Sequence, residues 1–277
     1  MTNLYHYKPV RYFAYTFAAT FTLWGAGAVV SFQEGRDGLY LALMLPGLMA
    51  PFLISLAMMA TSRQPGMFRE FGRRLIDLRL IRPATFPVLF LLMPLVVLAS
   101  ISLSLPFGGS NTQFQLAEGF SFSSGVMPVL LLLMFAATFE ELGWRGYAFD
   151  SLQYRFSFLT AALLFSVLWA VWHLPLVFVK DSYQYEIWQE SPWFAVNFFV
   201  SILPMGVIIS WICVKNRKSV FAAILFHFII NMSQEALSMT QTTKCIETVV
   251  LVVVALGLVL SDRQFFLSRR TPLLAGA

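Results

Sequence analysis

The sequence has little charge, little cysteine and little histidine. Charged residues make up 12% of its 277 residues, whereas soluble domains carry about 25%. This scarcity excludes an ordinary soluble domain, and 28 phenylalanines and 7 tryptophans exclude a disordered or polar nucleic-acid-binding chain. The two cysteines, Cys213 and Cys245, cannot supply a disulfide framework or a cysteine-based metal site. Apolar residues dominate instead, at 58% of the chain.

Eight apolar segments, each too long for a strand, predict transmembrane helices. A membrane span satisfies its backbone polar groups internally, so each segment is interpreted as a helix. We expect an all-α polytopic membrane protein that forms one domain over residues 1–277. The segments cover about residues 11–32, 39–60, 84–105, 124–147, 158–179, 194–214, 220–239 and 246–260.

The basic residues of the connecting loops are distributed asymmetrically. Fifteen of the 19 lysines and arginines fall on one side, together with both termini. The other side receives only Arg36, Lys180 and Lys244, and Arg145 lies within a span. The positive-inside rule therefore predicts that both termini lie in the cytoplasm, which requires an even number of spans.

A segment between the second and third spans, residues 67–80, combines apolar residues at helical spacing with several arginines. This pattern predicts an amphipathic helix in the cytoplasmic interface. Its arginines are expected to approach anionic lipid headgroups.

The fourth span ends in charged residues, which are costly inside a membrane. Glu140, Glu141 and Arg145 together would cost roughly 7–10 kcal/mol on insertion scales. Glu141 and Arg145 are four residues apart and are predicted to form an ion pair. Glu140 points about 100° away from Glu141, so we expect it to lack a local partner.

Further polar residues occur on two other spans. His173 lies in the fifth, and His227 and Asn231 share one face of the seventh. Each has a structural alternative, such as a buried hydrogen bond, but together with Glu140 they predict one convergent site. His173 lies roughly 22 Å from the cytoplasmic start of its span, and Glu140 reaches that depth only if the fourth helix continues to about Arg155.

These residues carry a resemblance to a known family. The sequence resembles the CAAX protease and bacteriocin-processing family of intramembrane peptidases, which includes the Ras-converting endopeptidase. The family motifs Glu-Glu-x-x-x-Arg, Phe-x-x-x-His and His-x-x-x-Asn occur in order within residues 124–239. They match at Glu140, Glu141 and Arg145, at His173, and at His227 and Asn231. Trp169 stands where the family has phenylalanine.

The resemblance implies removal of the C-terminal tripeptide from a prenylated CAAX protein or peptide. It implies that Glu140 is the general base, that His173 orients the water, and that His227 and Asn231 form an oxyanion hole. Glu141 and Arg145 would support them.

Substrate binding can also be placed on particular residues. We expect Trp169, Trp172 and Phe228 to line an apolar wall of a cavity that opens to the cytoplasm. Membrane lipids are expected partners, nucleic acids are not, and the sequence indicates no oligomeric state.

Two alternatives remain open at this stage. No cofactor is expected, but Glu140, His173 and His227 also match the His₂Glu ligand set of zinc proteases. The same polar cluster would also serve a transporter or immunity protein as a proton relay.

Overall fold

The computed structural model describes residues 5–117 and 126–269. This part of the chain consists of helices and turns, with one isolated antiparallel bridge between Leu116 and Leu237. The predicted all-α fold is therefore confirmed. The predicted start of the fourth span near Ser124 and the predicted cytoplasmic charge of Arg270 lie outside the described residues.

The described α-helices differ widely in length. They are α1 Pro9–Val30, α2 Asp37–Ser62, α3 Met67–Ile76, α4 Phe86–Ser104, α5 Val126–Gly143, α6 Phe149–Gln153, α7 Phe158–Trp172, α8 Tyr183–Glu190, α9 Pro192–Lys215, α10 Val220–Ala236, α11 Gln241–Ser261 and α12 Arg263–Leu267. Within the described residues, six helical segments are long and apolar enough to cross a membrane, and they contain α1, α2, α4, α7, α9 and α11. Helix α10 is apolar but has 17 residues, so the count of eight spans stays a prediction.

Serine or threonine side chains cap the N-termini of three of the helices that carry the site. The hydroxyls of Ser157, Ser219 and Thr240 accept hydrogen bonds from backbone N–H groups in the first turns of α7, α10 and α11. A serine or threonine at this position typically contributes about 1 kcal/mol. The local sequence therefore sets where these helices start.

The fifth apolar segment was predicted to be helical as far as residue 179, but its α-helix ends earlier. Helix α7 stops at Trp172, His173 caps it, and Leu174–Phe178 forms a 3₁₀ turn. Pro175 explains the difference, because proline has no N–H to donate and its ring clashes with the preceding turn. His173 consequently sits at a helix end.

The fourth helix is long, as the depth argument predicted. Helix α5 continues through a π-helical turn, Trp144–Ala148, into α6, which ends at Gln153. Such π turns occur frequently at functional sites. Here the turn begins three residues after Glu141.

Two glycines allow the helices around the site to approach closely. A Cβ atom at Gly143 would lie 2.4 Å from the backbone carbon of Pro51 in α2. A Cβ atom at Gly206 in α9 would lie 2.2 Å from the Ser166 hydroxyl in α7. Small residues at such crossings are typical of membrane helices, because they let the backbones pack tightly.

Helix α3 corresponds to the predicted amphipathic segment, but one of its arginines does not face headgroups. Arg74 is 4% exposed, and its guanidinium donates to Asp150 at 2.7 Å and to the Arg145 carbonyl at 2.7 Å. Lys218 completes the cluster with a 2.8 Å contact to Asp150. Arg74 therefore fastens α3 to the end of the fourth helix instead of reaching toward lipid.

Candidate active site

Glu140 lies in the bundle with 6% of its surface exposed. Its Oε2 accepts a hydrogen bond from the indole N–H of Trp169 at 2.8 Å and a longer one from Trp144 at 3.3 Å. The expectation that Glu140 lacks a local partner is therefore wrong: Trp144 is one turn further along the same helix face. Among the described residues no lysine, arginine or histidine lies within 4 Å of its carboxylate.

Glu141 joins two functional groups through one oxygen. Its Oε1 lies 2.8 Å from Arg145 Nη1, so the predicted ion pair is confirmed, and both side chains are fully buried. The same oxygen lies 2.9 Å from His227 Nδ1. Arg145 also stacks on Phe165, with its guanidinium carbon 4.3 Å from the ring centre. Glu141 therefore positions both the arginine and the imidazole.

The hydrogen bonds of the two histidines determine which ring nitrogen can accept a further hydrogen bond. His173 Nδ1 lies 2.8 Å from the carbonyl oxygen of Trp169, which can only accept, so Nδ1 carries the hydrogen. Nδ1 of His227 likewise donates to the Glu141 carboxylate. In the neutral rings Nε2 is consequently the acceptor of both histidines.

The four predicted catalytic side chains line one cavity with a volume of about 270 Å³. Glu140 comes from α5, His173 from the end of α7, and His227 and Asn231 from successive turns of α10. The Trp169 ring lies between the histidines, with its centre 5.9 Å from His173 and 5.3 Å from His227. The structure therefore brings the predicted residues together, while their catalytic roles stay predictions.

Of the three residues that were expected to form the apolar substrate wall, only one lines the cavity. Trp169 lines the cavity, but Trp172 and Phe228 do not. Trp172 is fully buried, donates to the Thr20 hydroxyl at 2.9 Å, and packs against the neighbouring helices. Trp172 lies about 60° further round the helix than Trp169, so its ring faces Thr20 and Trp24 of α1 instead of the cavity. The other aromatic residues that line the cavity are Tyr183, Phe194 and Phe198.

The cavity extends toward one end of the bundle. Besides the catalytic positions it is lined by Tyr183 of α8, Phe194 of α9, and Gln241 and Lys244 of α11. These residues lie at the ends of helices that the charge distribution assigns to the non-cytoplasmic side. In the expected orientation this end of the cavity is therefore the non-cytoplasmic one, and the expected cytoplasmic opening stays a prediction.

A second polar cluster at this end was missed. Gln234 Nε2 donates to Glu247 Oε1 at 2.5 Å, and Lys244 Nζ donates to the Tyr183 hydroxyl at 3.1 Å. Glu247 is 2% exposed. The sequence contains one indication of this cluster: Glu247 is a carboxylate within the last apolar segment, and charged residues inside spans usually mark functional sites.

Comparison with known proteins places these motifs in a family. Residues 122–233, which contain every predicted catalytic residue, match the family described as type II CAAX prenyl endopeptidase Rce1-like. The chain is also 55% identical over 269 residues to the CAAX prenyl protease 2 of Methanococcus maripaludis. That match covers 97% of this chain and 99% of the relative.

The chain belongs to the Rce1-like CAAX prenyl endopeptidase family. This confirms the resemblance drawn from the three motifs. An Rce1-like chain whose described part contains six apolar helices of spanning length is an integral membrane peptidase. The membership excludes neither a metal-dependent nor a metal-free mechanism.

Proposed function

We propose that this Rce1-like chain removes the C-terminal tripeptide from prenylated CAAX proteins, with Glu140 activating the attacking water. The observation that carries the proposal is the environment of Glu140 in the cavity. Two indole N–H groups hold its carboxylate, and no cation among the described residues lies within ion-pair distance. The other carboxylate oxygen, Oε1, makes no hydrogen bond to another described side chain and is available to accept a proton from water.

The proposed reaction begins at the peptide bond after the prenylated cysteine. Water attacks the carbonyl carbon, its proton passes to Glu140, and the carbonyl oxygen becomes an oxyanion. His173 holds the water through Nε2, which accepts one of its hydrogens. The carbon–nitrogen bond then breaks as Glu140 returns the proton to the leaving nitrogen, so that the base acts in turn as an acid.

Asn231 and His227 are proposed to bind the oxyanion. The Asn231 amide makes no hydrogen bond to another described residue, so its N–H groups are free to donate into the cavity. His227 donates from Nε2 only when its ring is protonated at both nitrogens, because Nδ1 already serves Glu141. One oxyanion donor is worth about 2.7–4 kcal/mol.

Mass spectrometry of a farnesylated CAAX peptide tests this proposal directly. Purified wild-type protein in detergent should release the tripeptide, whereas Glu140→Gln should not. Glutamine preserves an oxygen that accepts from both indoles but does not act as a base. Glu190→Gln, which changes an exposed carboxylate on α8, is the matched control. Wild-type cleavage rates in Glu140→Gln would refute the proposed base.

The proposed mechanism uses no metal ion. The zinc alternative assigns Glu140, His173 and His227 as ligands, and a strong chelator distinguishes the two. Full activity after chelation, in protein without stoichiometric zinc, supports the metal-free mechanism. Loss of activity that added zinc restores would support the alternative.

We also propose that both termini face the cytoplasm, as the distribution of basic residues predicts. In this orientation the cavity end with Lys244 lies on the opposite side of the membrane from the termini. A tail that arrives from the cytoplasm would then insert with its C-terminus leading.

A further inference from the structure

The far end of the cavity carries an ammonium group whose hydrogen-bonding capacity is mostly unused. Lys244 Nζ donates to the Tyr183 hydroxyl at 3.1 Å and lies 4.6 Å from the centre of the Tyr183 ring. The Tyr183 hydroxyl in turn donates to Gln241 Oε1 at 3.0 Å. An ammonium has three donors, and in the part of the chain that the structure describes no second acceptor takes one.

The acidic residues near Lys244 do not form an ion pair with it. Glu235 and Glu247 also line the cavity, but neither carboxylate lies within 4 Å of Nζ among the described contacts. Glu247 instead accepts a hydrogen bond from Gln234 at 2.5 Å. Lys244 is therefore held in place by a neutral phenol and keeps its charge available to the cavity.

The distance between Lys244 and the catalytic positions matches a short peptide. Gln234 lies three residues beyond Asn231 on α10, and Lys244 lies three residues before Glu247 on α11; each interval rises about 4.5 Å. Because Gln234 contacts Glu247, Asn231 and Lys244 are separated by about 9 Å along the helix axes. Three extended residues span at most about 10 Å.

We propose that Lys244, positioned by Tyr183, binds the terminal carboxylate of the tripeptide that is removed. The inference rests on the proposed function and deepens it. A site that pairs a cation with the chain terminus at this distance recognises a tail with three residues after the scissile bond. It thus selects the length of the leaving peptide, while Glu140 and its neighbours perform the cleavage.

Two farnesylated CAAX peptides that differ only at the terminus test the proposal. One ends in a free carboxylate and the other in a carboxamide. For wild-type protein kcat/KM should be at least tenfold higher for the free acid, mainly through a lower KM. Lys244→Met, which keeps the apolar stem, should reduce this preference to within about twofold. Lys180→Met, an exposed lysine at the same end of the bundle, should keep the wild-type preference.

Each other outcome overturns a defined part of the argument. Equal cleavage of acid and amide by wild type, or an unchanged preference in Lys244→Met, would refute the carboxylate site alone. Recovery of the wild-type preference in the double variant Lys244→Met with Glu247→Gln would show that Lys244 serves only to neutralise Glu247. Cleavage of neither peptide by wild type would refute the proposed function itself.

Discussion

Replacing Glu141 with glutamine should damage both stability and catalysis, because one oxygen of this residue serves two partners. Its Oε1 contacts Arg145 at 2.8 Å and His227 at 2.9 Å, and the ion pair is fully buried. Glutamine still accepts a hydrogen bond but leaves the Arg145 charge without a counterion. Removing one partner of a buried ion pair costs about 3–5 kcal/mol. At 2–4 °C for each kcal/mol, we expect Tm to fall by roughly 10 °C.

Catalysis should fall for a separate reason: a neutral amide no longer stabilises the doubly protonated His227 ring, which is the form that donates from Nε2. If His227 supplies one oxyanion donor, kcat should drop by up to about 10²–10³-fold. Thermal unfolding in detergent, followed by tryptophan fluorescence, measures the first effect. Peptide cleavage at a temperature where both proteins are folded measures the second. The pattern should differ from that of Glu140→Gln, which loses activity but keeps its Tm. Unfolding of Glu141→Gln at the wild-type temperature would refute the energetic role of the pair.

Three further changes have defined outcomes. Trp169→Phe keeps an aromatic ring but removes the N–H that donates to Glu140 at 2.8 Å. It should lower both kcat and Tm, because a hydrogen bond to a charged group contributes about 1.5–3 kcal/mol. Wild-type values of kcat and Tm in this variant would contradict the expectation. Gly143→Ala should lower Tm markedly in thermal melts, because its Cβ would collide with Pro51, whereas Gly257→Ala, which meets no atom within 4 Å, should not. Removing farnesyl from the substrate peptide should reduce kcat/KM at least tenfold, since two buried methylene groups at about 0.8 kcal/mol each suffice; equal values would mean that the lipid is not recognised.

Sequence patterns predicted the parts of the site that depend on helical spacing. The Glu141–Arg145 pair follows from an interval of four residues, and the long fourth helix follows from matching the depths of Glu140 and His173. The link from Glu141 to His227 joins residues 86 positions apart, so no local pattern contains it. The donation from Trp144 to Glu140 was missed for another reason. At the four-residue interval an indole N–H reaches a carboxylate as well as a guanidinium does, so the interval alone does not restrict the partner of Glu140 to a charged residue.

The distribution of tertiary contacts explains why the remote end of the cavity was harder to foresee. Lys244 reaches Tyr183 across 61 residues, and α8, which carries Tyr183, lies in a segment assigned to a loop. The charge of Glu247 was visible in the last apolar segment, but its partner Gln234 lies on another helix. Periodicity indicates which face of a helix is polar, whereas the identity of the facing helix is set by packing.

The orientation of the chain determines from which side of the membrane this end of the cavity is reached. The charge asymmetry predicts that exposed Ser110 faces away from the cytoplasm and that exposed Gln264 of α12 faces the cytoplasm. Cysteines at these positions, in a background where Cys213 and Cys245 are alanine, should therefore respond differently to a membrane-impermeant maleimide. Intact cells should label Ser110→Cys, and only permeabilised cells should label Gln264→Cys.

The reverse pattern would place Lys244 on the cytoplasmic side, so that the tail would have to enter past Lys244 before it reached Glu140. A lysine at the entrance would meet every incoming chain terminus, whereas a lysine at the far end measures how many residues lie beyond the scissile bond. The labelling pattern thus decides whether the Lys244 site can select a tripeptide by its length.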